Sequence, residues 1–454
     1  MTMKIYGIGG FNEVGKNMTV IDMGEDAIII DCGLFLPPVI ELEEAEKVYT
    51  EKKLKSIGAI PADNLLDEKQ IRKKVRAIIP SHAHLDHIGG IPWLAYRYNA
   101  DIIGTPFTME VLKSILKDEN IFLKNKLKTV QPNSFCYVQG KNKKYRVDFI
   151  NITHSTIQCS MLAIHTPDGI VLYSNDFKFD NSPILGKKPN WEKLKEIGKE
   201  GVKVMIVDAL YSGDNRKTAS EKVARTLLED VLFTTTNENS GLFVTTFSSH
   251  IARLKSIVEF GKRLDRKLIF LGRSLNKYVS AATRVDLCPF RKDIEIATFR
   301  KQLERQLKRV EKDRGKYMVV CTGHQGEPGS ILDRISRNKL QFRFRRDDHL
   351  LFSSSVIPTK QTIENREALD NRFKKRGVRM FSNLHVSGHA GREDLRDFIN
   401  LINPEHIIPA HGEHRLTAPL VELAEELGYK DKKNIHLIND GQMLDFSKNN
   451  KHSK

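Results

Sequence analysis

Cysteine is scarce and scattered in this 454-residue chain: Cys32, Cys136, Cys159, Cys288 and Cys321, with no C-x-x-C pair among them. That spacing excludes a disulfide framework and a thiolate zinc site, and leaves buried or neutral thiols as the expectation. Long apolar runs are missing too, which excludes a membrane-spanning helix. The chain begins at once with the strand-like stretch from Met3 to Ile8, without the apolar segment of a signal peptide, so a cytoplasmic protein is expected. Negative charge is in deficit: Asp and Glu number 57 against 73 Lys and Arg, a net +16. Such a surplus suits a polyanionic partner, because neutralised phosphates release counterions and drive association at low salt. Many basic proteins never meet nucleic acid, however, so a chemical site has to decide.

What is present divides into two styles. The first third alternates short apolar strands with glycine-marked turns: Lys4 to Ile8, Met18 to Asp22, Ala27 to Asp31, and the strand starting at Val75. A proline-bearing connection between Phe35 and Asp67 reads as a lid or surface excursion, and a helix is expected from about 109 to 127. Strands follow at 145–152, 161–165 and 170–174. From about residue 202 the rhythm becomes strand then helix, the pattern of a parallel sheet. A charged helix at 299–314 is read as a solvated face. After Thr362 the first style returns, with strands expected at 379–382, 406–408 and 435–438. The reading is α/β: a sheet-on-sheet sandwich flanked by helices, interrupted by an inserted α/β domain. The expected divisions are 1–207 and 367–446 for the sandwich, 208–366 for the insertion, and a flexible tail at 447–454.

The densest chemistry lies just past the strand at 75–80. His82, His84, Asp86 and His87 form an H-x-H-x-D-H pattern where a strand gives way to a loop, and imidazole with carboxylate suits zinc or manganese. Two ligands from this segment serve each of two ions. Strand-terminal donors elsewhere complete the set: His154, Asp176 and His411. The expected division is His82, His84 and His154 on one ion, Asp86, His87 and His411 on the other, and Asp176 between them. Two divalent ions about 3.5–4 Å apart acidify a water and neutralise charge on a phosphodiester under attack. His389 is the candidate for protonating the leaving oxygen, with His385, Ser387 and the amides near Gly388 shaped to hold a phosphate.

The order H-x-H-x-D-H, His154, Asp176, His411 resembles the metallo-β-lactamase fold, and the insertion with Asp208, His389 and His411 resembles its β-CASP nuclease branch. More narrowly, the blocks at 9–18, 322–328, 354–358, 385–389 and 411–413 are similar to those of the ribonuclease J family over nearly the whole chain. The resemblance implies a metallo-β-lactamase αββα sandwich with an inserted β-CASP domain. It also implies a processive 5′-to-3′ exoribonuclease that prefers 5′-monophosphate ends and acts in RNA decay or maturation. Its expected catalytic group is Asp86, His87, Asp176, His389 and Asp208, with Asp208 orienting His389. Its expected substrate contacts are His385, Val386, Ser387, Gly388 and His389, together with the turn Ser248, Ser249 and His250. Single-stranded RNA is the expected partner; the resemblance also admits a homodimer and protein partners in RNA decay, and gives no membrane role.

Some positions depart from that family. The chain stops about forty residues after His411, where bacterial members carry an appended domain, which makes it similar to the archaeal branch. His324 stands where many members have serine, and Thr359, Lys360 and Gln361 replace Gly-Asn-Glu. Alternative functions are an endoribonuclease of the β-CASP cleavage-factor type, a small-substrate metallo-hydrolase, and a non-catalytic RNA-binding descendant. The small-substrate enzymes lack an inserted domain, and a non-catalytic descendant would be expected to have lost ligands.

Overall fold

The computed structural model describes residues 3–42, 49–174, 176–357 and 360–447, so part of the excursion at 35–67 and the expected tail from 448 lie outside the described residues. The chain divides into two compact units: Met1–Phe179, Lys187–Thr218 and Gly388–Lys454 make the first, and Asp180–Gly186 with Ala219–Ser387 make the second.

In the first unit, seven strands lie in the order Met443–Asp445, Lys4–Gly9, Met18–Asp22, Ala27–Ile30, Val75–Ile79, Asp101–Gly104 and Leu127–Thr129. They are antiparallel as far as Ala27–Ile30 and parallel beyond it. A six-stranded sheet follows the order His406–Ala410, Val202–Asp208, Gly169–Ser174, Ser160–Thr166, Lys144–Asn151 and Ser134–Gln139. Side chains alternate across a strand, and the core uses that period. Ile5, Ile21, Ile28, Ile30 and Ile79 of the first sheet share one buried cluster with Val147, Phe149, Leu162, Ile164, Val171 and Ile206 of the second. The opposite face of the second sheet, through Met161, Leu172, Met205 and Ile407, meets Leu194, Phe398 and Leu420. These belong to the helices Trp191–Glu200, Arg392–Ile402 and His414–Glu426. Helix Pro106–Asp118 covers the first sheet at Asp101–Gly104 and Leu127–Thr129, burying Phe107, Met109 and Leu112. The expected αββα sandwich is present.

The second unit is a six-stranded parallel sheet in the order Ile294–Ala297, Lys267–Leu271, Tyr317–Cys321, Leu242–Thr245, His349–Phe352 and Arg379–Phe381. Its central strands are buried throughout, as a sheet covered on both faces requires. Helix Glu221–Thr234 starts where the Ser220 hydroxyl accepts from the Lys222 amide, and the charged helix Arg300–Lys312 turns only Leu303, Gln306, Leu307 and Val310 inward.

Three boundaries differ from the sequence reading. The second unit runs to Ser387 rather than 366, because Arg379–Phe381 pairs in parallel with His349–Phe352 and so belongs to the inserted sheet. Its start moves from 208 to Ala219, since Asp208 ends a strand that pairs with His406–Ala410. The helix expected at 109–127 is Pro106–Asp118, closed where Asn120 turns left-handed (φ 54°). The strand expected at 435–438 is reduced to isolated bridges from Ile435 to Ile407 and to Asp431. Among the described residues no helix is long and apolar enough to cross a membrane.

Candidate metal centre

The loop that follows strand Val75–Ile79 is held from beneath by the loop that follows Ala27–Ile30. The Cys32 amide donates to the His87 carbonyl (2.8 Å), the Leu34 amide to Leu85 (2.9 Å) and the Asn17 amide to Asp86 (3.0 Å). The approach is so close that a Cβ on Gly33 would stand 1.7 Å from the Asp86 carbonyl oxygen. Asp31, left-handed at φ 58° and fully buried, anchors the same loop. It accepts from the Ser81 amide (2.7 Å), the Tyr173 hydroxyl (2.7 Å) and His87 Nδ1 (2.7 Å). Its bond to His87 turns Nε2 of that ring toward the site.

Two groups of ligand atoms form there. His82, His84, His154 and Asp176 make one, and Asp86, His87, Asp176 and His411 the other, with the ligand atoms of each group within 4.8 Å of one another. Asp176 belongs to both. Asp208 and His389 join Asp176 in a third group, and His389 Nδ1 lies 2.7 Å from Asp208 Oδ2. The His389 ring stacks on His411 (5.4 Å) and meets His154 edge-on (5.1 Å). All seven expected ligands, and the Asp208–His389 pair, therefore converge within the first unit. Asp176 and His411 both adopt left-handed backbone (φ 54° and 64°), a conformation that Asp and His tolerate better than most residues.

The charge balance of these residues fits divalent cations. His82 Nε2 and His154 Nε2 each approach His84 Nδ1 to 3.1 Å, so three ring nitrogens crowd together. Burial, helped by the neighbouring imidazoles, holds His82 and His154 well below the ordinary imidazole pKa and lowers His84 to about 4, keeping all three as neutral electron-pair donors. His87 goes the other way. Burial opposes its charge, but Asp176, Asp31 and Asp86 overcome burial and pull its pKa well up, which marks a position that demands a cation. Asp176 Oδ1 is buried and receives no hydrogen bond, with His411 Nδ1 at 3.4 Å as its nearest polar partner. Three neutral imidazoles beside a carboxylate oxygen without a donor make a candidate ligand set.

The chain matches family models described as metallo-β-lactamase superfamily over residues 12–234, ribonuclease J β-CASP domain over 239–368, and Zn-dependent metallo-hydrolase RNA specificity domain over 376–437. It is 40% identical to a ribonuclease J of Methanocaldococcus jannaschii, over 99% of this chain and 100% of that protein. The chain belongs to the ribonuclease J family. A ribonuclease J of Pyrococcus abyssi is 41% identical over 98% of this chain and 97% of its own. A crystal structure from Enterococcus faecalis V583, of a protein described as of unknown function, covers 98% of this chain at 16% identity and a TM-score of 0.65, a likeness of fold. The architecture is thus a metallo-β-lactamase domain with a β-CASP insertion.

The remaining expected residues of this ribonuclease J family member divide between the units. Gly388 stands with the centre: its carbonyl accepts from His154 Nδ1 (2.8 Å). His385, Val386 and Ser387 end the second unit, where the fully buried Arg253 donates to the Leu384 carbonyl (3.2 Å) and reaches His385 Nδ1 (3.5 Å). Ser248, Ser249 and His250 form the turn into helix Ile251–Arg263. His250 has a structural occupation there: it accepts from the Arg253 amide and lies 3.3 Å from the buried Glu221. Both ring nitrogens of the buried His324 lack a hydrogen-bond partner, and the ring packs edge-on against Phe247.

Sequence reasoning missed Asp31, Ser81, Asn17 and Tyr173. Asp31 carried a readable signal, a carboxylate ending an apolar strand just as Asp176 and His411 follow theirs. One close approach gives a direct test. A Cβ on Gly388 would lie 2.9 Å from His154 Cε1, so Gly388→Ala should tilt that ring and lower metal affinity roughly 10–100-fold, read by competition with a chromogenic chelator.

Proposed function

We propose that this ribonuclease J family member is a two-metal ribonuclease that degrades single-stranded RNA processively from 5′ to 3′ and prefers a 5′-monophosphate end. Asp176 carries the hydrolytic part of the reading, because one carboxylate common to two ligand groups brings two ions to bear on a single phosphate. The RNA part is supported by the names of its relatives, by the match to an RNA specificity model and by the net +16. His82, His84 and His154 would hold one ion, Asp86, His87 and His411 the other, with Asp176 between them. Zinc is the proposed metal, with manganese the other that these ligands accept. When bound, the ions supply an acidified water and neutralise charge on the phosphate oxygens.

The chain's own residues do the rest. Burial lowers the pKa of His389, but Asp208, Asp176 and Asp86 outweigh it and raise the value to about 9, so the ring is charged at neutral pH. Nδ1 is bonded to Asp208, and Nε2 is the proposed donor of a proton to the leaving oxygen. Asp208 is a positioning residue in this scheme. Asp31 and the Gly388 carbonyl fix the tautomers of His87 and His154. His385, Val386, Ser387 and Gly388 are the proposed seat of the 5′-phosphate, and Ser248 and Ser249 a second point of attachment, with His250 shaping their turn.

One RNA labelled at either end, bearing a 5′-mono- or triphosphate, tests polarity and end preference together. The expected outcome is release of mononucleotides from the 5′ end of the monophosphate form, at least roughly tenfold faster than from the triphosphate. Internal fragments at equal rates from both forms would replace this reading with an endonuclease.

A further inference from the structure

The second sheet of the first unit ends in an open edge strand, Ser134–Gln139. Its core-facing side is ordinary: Val138 is buried and Cys136 packs partly against the same cluster. Its outward side is not. Phe135 and Tyr137 stand 47% and 57% exposed, two residues apart on one face, with ring centroids 5.7 Å apart. Helix Trp191–Glu200 covers the middle of this sheet, with Lys193 reaching Asp148 (3.6 Å), and leaves the two rings half-exposed beyond it. An exposed aromatic pair on an unpaired edge invites aggregation, so a folded protein that keeps one has a use for it.

The surroundings indicate the use. In register, Tyr137 sits opposite Arg146 and Gln139 opposite Lys144. The Arg146 guanidinium lies over the Phe135 ring at 4.4 Å while bonding Asp148 (2.8 Å). Lys144 is exposed and shares that face, while the exposed Lys143, in the turn, lies over the core-facing Tyr145 ring (5.6 Å). Lys128, on the edge of the facing sheet and paired with Asp101 (2.5 Å), is near enough to act on the Cys136 thiol, whose pKa burial still holds up at about 11. Rings at alternate positions on a strand, about 7 Å apart along it, with cations beside them, are what single-stranded nucleic acid needs. Bases stack on the rings while the phosphates follow the charge. A protein partner of matching chemistry would have to be acidic and would leave the ring faces without a purpose.

We propose that the face formed by Phe135, Tyr137, Lys144 and Arg146 is an auxiliary binding platform for single-stranded RNA, outside the candidate metal centre. The inference rests on the RNA-hydrolase reading and adds a further point of attachment to it. The strand that carries Arg146 runs on toward His154, so on the order of 17 Å separates Arg146 from the strand's end at Asn151. A substrate must therefore be several nucleotides long to touch both places. Long RNA is gripped at the platform and short RNA is not.

The test uses the intact protein and the double variant Phe135→Ala/Tyr137→Ala, with fluorescence anisotropy of a long oligouridylate and hydrolysis of long and short oligouridylates. The expected result is an affinity for the long oligomer reduced at least roughly tenfold, a raised KM on it, and unchanged kcat and KM on the short one. Phe135→Tyr/Tyr137→Phe should restore binding, because stacking needs rings and not the hydroxyl. Lys144→Gln should flatten the salt dependence of binding, by up to about 0.7 in slope for a phosphate that is no longer neutralised. Unchanged affinity in the double alanine variant, with RNA hydrolysis intact, overturns the platform and leaves the enzyme reading standing. A wild-type dimer that the double variant splits in sedimentation, with RNA affinity unaltered, would instead make this edge an interface between copies. A wild-type protein that neither binds nor cuts oligouridylate removes both readings.

Discussion

Replacing Asp86 and His87 together by alanine should lower RNA hydrolysis roughly 10⁴-fold, the loss expected when one of two ions and the water it prepares are taken away. Binding of a 5′-phosphorylated RNA should survive, because its proposed seat at 385–388 and the platform at Ser134–Gln139 are untouched. The double substitution removes two of the four groups around one proposed ion and leaves His82, His84, His154 and Asp176 in place. Metal analysis should accordingly show the loss of one ion per chain and not both. His87 is also the partner of the buried Asp31, so its removal costs stability. The single change Asp86→Asn keeps that bond and separates lost catalysis from lost folding. Turnover retained in both variants would sink the assignment of the centre.

The second large effect belongs to His389. Its removal as alanine should cost roughly 10²–10⁴ in kcat with little change in KM, the range of a proton donor aimed at a leaving group. The pH profile distinguishes this from simple damage. A group whose pKa is raised to about 9 in the folded protein is protonated below that value and loses its proton as pH rises through it. Activity that needs the protonated ring should therefore fall on the alkaline side. Asp208→Asn removes the first-named of the charges that raise the value, so the alkaline limb should move to lower pH while the protein stays folded and loaded with metal. A limb that stays in place in Asp208→Asn would mean that another group sets it and that His389 is not the donor.

The legible part of this molecule was local. His82, His84, Asp86 and His87 fall within six residues, and His154, Asp176 and His411 each follow an apolar strand, so strand-end chemistry could be read without knowing how strands pair. Most strands of the sandwich were legible for the same reason, since alternation and glycine-marked turns are properties of short windows, but Asp101–Gly104, Leu127–Thr129, Ser134–Gln139 and Met443–Asp445 were not. What escaped depends on distant pairing. Arg379–Phe381 looks like a strand of either unit, and only its parallel register with His349–Phe352 assigns it. The edge strand Ser134–Gln139 escaped because Phe135 and Tyr137 on its outward face erase the alternation of apolar and polar residues that marks a half-buried strand. Asp31 escaped because nothing nearby in sequence shows that its carboxylate meets a ring 56 positions later.

The second sheet is closed by His406–Ala410 pairing with Val202–Asp208, and that late strand delivers His411. Folding during synthesis proceeds from the N-terminus, so a growing chain can assemble His82, His84, His154 and Asp176 long before the last donor is made. The second ligand group waits until residue 411 has left the ribosome. The two groups of ligand atoms thus differ in what they need: the first is complete without the last strand of the second sheet, while the second forms only once that strand has docked on Val202–Asp208.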